Sequence, residues 1–385
     1  MEMIDVEPKL LEIHRLIASA VFPEDVFGKK LFINDDDDGE RVAETSAEEK
    51  EALSRVLKEW KRKCDPSIFS GKYSDVYSEE AIQMLYRLFN EGIERIETGD
   101  YGSDLSSDFR INIGGDEIEL RKYLLDTETA EVYAGSILIN GKYGKKVIAK
   151  IASKKENNRY LENEIRVLRI LSEEQKSQVK HYPPENKTFK MSDGRLGLVM
   201  EYHADFYSLE EVKDSEKWKN GIPEKHMVWM LNRALSGIGY AHSRNTIHRN
   251  LNPQNVIIRP RDHNLVFTNW DQAILNAHVN SGLEFVGDKD EYFYPSELKT
   301  GDKILPSSDL FAIGKLMIYI LGGNPETNEM PDSVDPRIQN FLKAFVMESK
   351  WQRVSDAWKT HGELIELVED LWGKRKFLKF SMYNK

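Results

Sequence analysis

The polar residues most able to do chemistry sit in one short stretch, His248-Arg249-Asn250-Leu251-Asn252-Pro253-Gln254-Asn255. After an apolar run the chain continues Asn269-Trp270-Asp271. Five of these residues, Asn250, Asn252, Gln254, Asn255 and Asn269, carry side-chain amides. An amide is neutral and cannot accept a proton at pH 7. It is also a poorer magnesium ligand than a carboxylate. Asp271 is the one carboxylate of the set. Such a stretch can hold polar groups in place, but it has little with which to take a proton or grip a cation.

The elements that must position these residues can be read from periodicity. Three apolar stripes at helical spacing precede residue 100. They are Leu10, Ile13, Leu16 and Ile17; Leu53, Val56, Leu57 and Trp60; and Ile82, Leu85, Phe89, Ile93 and Ile96. Between the first two lies Asn34-Asp35-Asp36-Asp37-Asp38-Gly39. As a calcium loop it would put Gly39 at the turn, but Thr45 stands where the closing Glu belongs. We read it as a solvated acidic loop. Residues 101–116, with Gly114-Gly115, read as a linker. Glu119 to Leu125, Glu131 to Asn140 and Lys146 to Ser153 are short alternating runs that predict an antiparallel sheet. A helix follows at about 155 to 172, then more short strands to Tyr202. From residue 208 onward the chain reads as mostly helical.

Bulk properties narrow the function classes. A chain of 385 residues can bury sizeable cores. Its net charge of −11 argues against general nucleic-acid or anionic-membrane binding. The single cysteine, Cys64, excludes an intramolecular disulfide and a Cys-rich zinc site. No apolar run approaches membrane-spanning length, and Met1-Glu2-Met3-Ile4-Asp5 does not read as a signal peptide. The expected location is the cytoplasm.

The order of hairpins, helix, strands and a helical half resembles a two-lobed protein kinase, over roughly residues 117 to 373. Val147-Ile148-Ala149-Lys150 is similar to the strand whose lysine holds the α- and β-phosphates. Glu164, fourteen residues on, matches the glutamate that orients that lysine, although a plain ion pair is an equal reading. Leu198-Val199-Met200-Glu201-Tyr202 resembles the strand entering the hinge. The resemblance implies that the backbone at Glu201 and His203 meets an adenine edge, with Met200 as gatekeeper. His248 to Asn255 resembles the catalytic loop, with His248 and Arg249 structural. Tyr294-Pro295-Ser296-Glu297 resembles the end of an activation segment, with Arg353 placed to pair with Glu297. Asp309 matches the residue that anchors the catalytic-loop backbone.

The departures lie at the chemistry. Asn250 and Asn269 stand where the family carries its proton-accepting and metal-binding Asp residues. Asn252 replaces a lysine that supports transfer, while Asn255 matches the family's metal-binding Asn. The glycine positions of the phosphate loop hold Leu125, Thr127 and Ala130, among Asp126, Glu128 and Glu131. Glycines let backbone approach phosphates closely, and the acids would repel them. Loss of one proton acceptor typically costs roughly 10²–10⁴ in rate. Asn255 and Asn269 read equally as metal-site remnants or as amides that satisfy buried backbone. Asp271 is a candidate substitute metal ligand, but we expect it to face solvent or a basic neighbour.

Residues 45–98 resemble a J domain, the module that activates heat-shock chaperone ATPases. The resemblance rests on a basic helix ending Lys58, Lys61, Arg62, Lys63, a Pro-containing loop and a returning helix. Where that family has His-Pro-Asp, this chain has Asp65-Pro66-Ser67. A helical hairpin without that role is an almost equal reading.

The expected fold class is α+β, a two-lobed protein-kinase-like fold with an N-terminal all-α J-like domain. The expected boundaries are 1–100 helical, 101–116 linker, 117–204 N-lobe, 205–373 C-lobe and 374–385 a basic tail. The expected function is that of a pseudokinase, a catalytically impaired binding or regulatory module with weak ATP binding at most, largely independent of magnesium. The alternatives are an atypical active kinase or nucleotidyl transferase using Asp271 for metal, and a J-type co-chaperone with a kinase-like client domain. The expected partner is a protein, with a heat-shock chaperone at residues 53–67 as one candidate.

Overall fold

The computed structural model describes residues 5–35, 39–105, 109–172, 180–183, 187–287, 292–374 and 376–383. The chain forms two compact units. One holds Met1–Leu125, Val132–Lys150 and Glu201–Asp205, and the other Asp126–Glu131, Ile151–Met200 and Phe206–Lys385.

Helices Pro8–Ser19, Ser46–Lys63 and Ser74–Thr98 build the core of the first unit. Thr45 and Glu48 form a reciprocal capping box that starts the second of these, and Gly99, in the left-handed region at φ 78°, ends the third. Their apolar stripes meet through Ile17, Leu53, Leu57, Leu85 and Ile96. A Cβ on Gly92 would come within 2.9 Å of Leu53, so glycine sets how closely the second and third helices cross. The helical reading gains one element, an antiparallel hairpin of Phe32–Asp35 and Gly39–Val42. Asp36, Asp37 and Asp38, the heart of the acidic-loop reading, lie outside the described residues.

The strands of the first unit follow in the order Arg110–Ile113, Asp116–Asp126, Ala130–Ile139, Lys142–Ala152, and in the second unit Leu196–Glu201 pairs antiparallel with Lys187–Lys190. The first corrects the linker reading of residues 101–116: Arg110 to Ile113 pairs antiparallel with Glu119 to Asp116. Its alternation of exposed and half-buried residues is too short to stand out from a Ser/Asp-rich sequence. The helices of the first unit hold the sheet through charge. Asp25 takes both ends of the Arg121 guanidinium at 2.8 and 2.9 Å, and Glu91 pairs with Lys122 at 2.5 Å.

The second unit is built around helix Glu224–Ser243, which buries Met227, Leu231, Leu235 and Ile238 among helices Pro306–Ile320 and Ala357–Trp372. Residues 376–383 are not a free basic tail. Phe380 and Met382 are buried in this core. The Phe380 ring stacks on Trp218 at 5.3 Å, and the Trp218 indole donates to the Ser381 carbonyl at 2.9 Å.

Candidate functional site

Asp309, in the first turn of helix Pro306–Ile320, anchors the loop that carries the amides. Its carboxylate accepts from the backbone N–H groups of His248 and Arg249, both at 2.8 Å, and lies 2.9 Å from the His242 ring. Arg249 takes φ 69° to make this turn. The His248 ring is buried, with Nε2 2.8 Å from the Thr268 carbonyl and Nδ1 accepting from Asn250 N–H at 3.2 Å. Burial lowers its pKa, which fits the neutral ring with its proton on Nε2. The Arg249 guanidinium donates to the Leu283 carbonyl at 2.9 Å, and burial lowers its pKa to about 10. Both side chains are thus held by backbone groups of neighbouring segments.

The amides bind one another. Asn255 Nδ2 donates to the Asn250 carbonyl at 2.8 Å, and Asn255 Oδ1 accepts from Asn269 Nδ2 at 2.5 Å. Asn252 Oδ1 accepts from the backbone of Gln254 and Asn255 at 3.1 and 3.0 Å. Asn255 therefore does satisfy buried backbone, and Asn269 is spent on Asn255.

Asp271, expected to face solvent or a basic neighbour, does not face solvent. It is 2% exposed, and its Oδ2 accepts from the Thr129 hydroxyl at 2.6 Å. Its Oδ1 is buried without a hydrogen-bond partner. The cause is tertiary. Asn163, on helix Asn158–Ser172, donates to the carbonyls of Asp271 and Ala273 at 3.0 and 2.8 Å and holds this turn inward. On the same helix, buried Glu164 accepts from Trp270 N–H at 3.3 Å.

The turn that would cradle phosphate turns three of its N–H donors onto itself. Thr127 N–H goes to the Ala130 carbonyl at 2.7 Å. Ala130 N–H goes to the Thr127 hydroxyl at 3.0 Å, and Thr129 N–H to the same oxygen at 3.4 Å. The Thr129 carbonyl accepts from Ser153 N–H at 3.0 Å. Glu131 is paired with Arg195 at 3.1 Å.

The remaining expected residues are placed as follows. Ala149 and Lys150 are buried on strand Lys142–Ala152 in the first unit. Glu201, in the same unit, pairs with Lys145 at 2.6 Å, and His203 follows it. Met200, in the second unit, packs against the cluster of Leu161 and Leu198. Glu297 and Arg353 form the expected buried pair at 2.6 Å, with Ser308 donating to the same Glu297 oxygen.

A family model described as the protein kinase domain matches residues 128–383. The chain belongs to the protein kinase domain family. It is 28% identical over 139 residues to serine/threonine-protein kinase pkn3 of Myxococcus xanthus, covering 34% of this chain and 24% of that protein. It is 29% identical over 189 residues to mitogen-activated protein kinase homolog 1 of Petunia hybrida, covering 46% of each. The chain thus spans less than half the length of these two relatives. Among solved structures it is similar in fold to the BubR1 kinase domain, with a TM-score of 0.53 and 16% identity over 70% of this chain and 85% of that one.

The family's usual ATP and magnesium can be tested against these groups. Magnesium does not fit, because the two amides at its position are bonded to each other and Asp271 offers one unpaired oxygen. Among the described residues no cluster of three His, Cys, Asp or Glu is suited to a metal. A triphosphate does not fit the turn at 127–130, whose N–H groups at 127, 129 and 130 are already taken. Sequence reasoning missed Thr129, Asn163 and the side chain of Tyr294 as members of the site. The one available signal for Thr129 was a hydroxyl residue among the missing glycines.

Proposed function

We propose that this chain is a protein-kinase-fold binding module that does not transfer phosphate. The observation that carries this reading is the Asn269–Asn255 side-chain bond. Where a phosphoryl-transfer site presents ligands to its cations, two neutral amides are spent on each other. The closed turn at 127–130 and the Thr129–Asp271 bond support it. The test is incubation of the purified chain with γ-labelled ATP and either Mg²⁺ or Mn²⁺. No label should appear on the chain or on generic protein substrates. Label that disappears in Lys150→Ala defeats the proposal. It would favour the phosphotransferase reading, which draws on the names of the relatives, serine/threonine and mitogen-activated protein kinases.

In this reading the partner is a protein, and the amino-terminal helices contribute the docking surface. Lys58, Arg62 and Lys63 are exposed at the end of helix Ser46–Lys63 and suit an acidic partner. J-type chaperone activation is not part of the proposal. The Asp65 carboxylate is held by the Ser67 backbone and hydroxyl at 2.8 and 2.7 Å, and no histidine precedes the proline. No helix among the described residues is long and apolar enough to cross a membrane. The cytoplasm is the location we propose.

A further inference from the structure

One buried hydroxyl of the second unit has no task in the reading above. Tyr294 precedes helix Ser296–Thr300 and is 5% exposed. Its hydroxyl donates to Asn250 Oδ1 at 2.6 Å and accepts from Asn252 Nδ2 at 3.1 Å. Asn250 occupies the position whose side chain, in a phosphoryl-transfer loop of this kind, takes the hydrogen bond of the substrate hydroxyl. Here a hydroxyl of the chain itself makes that bond.

The rest of the residue is equally fixed. The Tyr294 ring meets Phe285 edge to face at 5.4 Å and packs with Leu298. Three residues on, Glu297 is tied to Arg353 and Ser308. On the loop side, the Asn250 carbonyl and the Asn252 side-chain oxygen are both taken by Asn255. The tyrosine hydroxyl therefore links two fixed parts, the amide-bearing loop and the base of helix Ser296–Thr300. An Asp at 250 would accept the same bond but would carry a charge beside it. Asn makes the contact neutral, with donor and acceptor matched at both amides.

We propose that Tyr294 is an internal plug: its hydroxyl fills the substrate-hydroxyl position between Asn250 and Asn252 and fastens helix Ser296–Thr300 to the loop. A peptide hydroxyl has no place to enter, and a partner meets a closed surface there. This goes beyond the loss of metal and proton-accepting groups, because it would block an acceptor even if those groups were restored.

The test is amide hydrogen exchange, read by mass spectrometry, on the full chain and on Tyr294→Phe, Asn250→Ala and the double variant. Tyr294→Phe keeps the ring and removes two hydrogen bonds. Peptides covering 248–256 and 292–300 should both exchange about 10- to 100-fold faster, as expected for two bonds of ordinary strength. Asn250→Ala should accelerate the same two regions. The double variant should be no faster than the faster single one, and helix Pro306–Ile320 should be unchanged. Acceleration confined to 292–300 in Tyr294→Phe, or fully additive effects, overturns the plug. Asn252→Asp gives a second measurement should Asn250→Ala fail to fold. It keeps the acceptor for Gln254 and Asn255, removes the donor to Tyr294 and sets a negative charge beside its hydroxyl oxygen, so it too should loosen both regions, and no change in either counts against the plug. These readouts use no ATP. Loss of the coupling between the two regions would therefore defeat the plug alone, whereas phosphoryl transfer to a protein hydroxyl by the wild-type chain would defeat both the plug and the binding-module reading.

Discussion

Changing Asn269 to Asp should give a variant that magnesium stabilises and leave wild type without that response. The substitution replaces the Nδ2 donor, which lies 2.5 Å from Asn255 Oδ1, with a carboxylate oxygen. Two oxygens then face each other, one of them charged. Asn255 can turn its own NH₂ toward the new carboxylate only by giving up its 2.8 Å bond to the Asn250 carbonyl. Either way one polar group loses its partner, at about 1–3 kcal/mol for a buried position. Asn269 is half-buried, so the lower part of that range applies, about 1–2 kcal/mol. For a unit of this size each kcal/mol moves the melting temperature by about 2–4 °C, so Asn269→Asp should melt about 2–8 °C below wild type in EDTA. Magnesium at ten times its dissociation constant should return about 1.4 kcal/mol, or about 3–6 °C. The assay is a thermal melt of both proteins in EDTA and in millimolar MgCl₂, with NaCl matched for ionic strength. Wild type should show no magnesium-specific shift. The reasoning is refuted if Asn269→Asp melts with wild type in EDTA, or if magnesium raises the wild-type melting temperature as much as the variant's.

Three further outcomes follow from the same contacts. Asp309→Ala leaves the backbone N–H groups of His248 and Arg249 buried without acceptors, so urea unfolding should show a loss of about 2–6 kcal/mol; a loss below 1 kcal/mol would mean that Asp309 does not anchor the loop. Burial lowers the pKa of His181 and His226 to about 4 and of His263 to about 3, below the unfolded value of 6.5. The stability these neutral rings contribute is full above pH 6.5 and is lost as pH falls from 6.5 toward 4, because the unfolded chain takes up protons first; a urea midpoint that stays flat across that window contradicts it. The full chain should not accelerate a heat-shock chaperone ATPase in single turnover, and acceleration abolished by Arg62→Glu with Lys63→Glu would restore the co-chaperone reading.

What could be read in the sequence was order along the chain. Strand runs, helical stripes and the spacing from Asn250 to Asn255 are local, and the Glu297–Arg353 pair followed from the family frame. What could not be read were partners set by tertiary contact. Thr129 and Asp271 are 142 residues apart, and neither residue type announces the other. Tyr294 and Asn250 are 44 apart, and the tyrosine stood in a motif noted for its glutamate. The end of the chain was misread for another reason. Its lysines suggested a solvated tail, while Phe380 and Met382, two residues apart, were the apolar pair that docks on Trp218 and the core.

These partners give the asparagines a structural reason. With Asp at both 250 and 269, Asn255 would stand between two carboxylates whose repulsion favours a cation or a retained proton among them. Amides remove that repulsion, because each carries both donor and acceptor and can satisfy its neighbour directly. The bonds from Asn269 to Asn255, from Asn255 to the Asn250 carbonyl, and among Asn250, Tyr294 and Asn252 form such a set. In the proposed reading, the asparagines that take the place of the catalytic carboxylates also let the loop close on itself without metal or nucleotide. A partner of the kind proposed above would then meet a surface that does not change with nucleotide concentration.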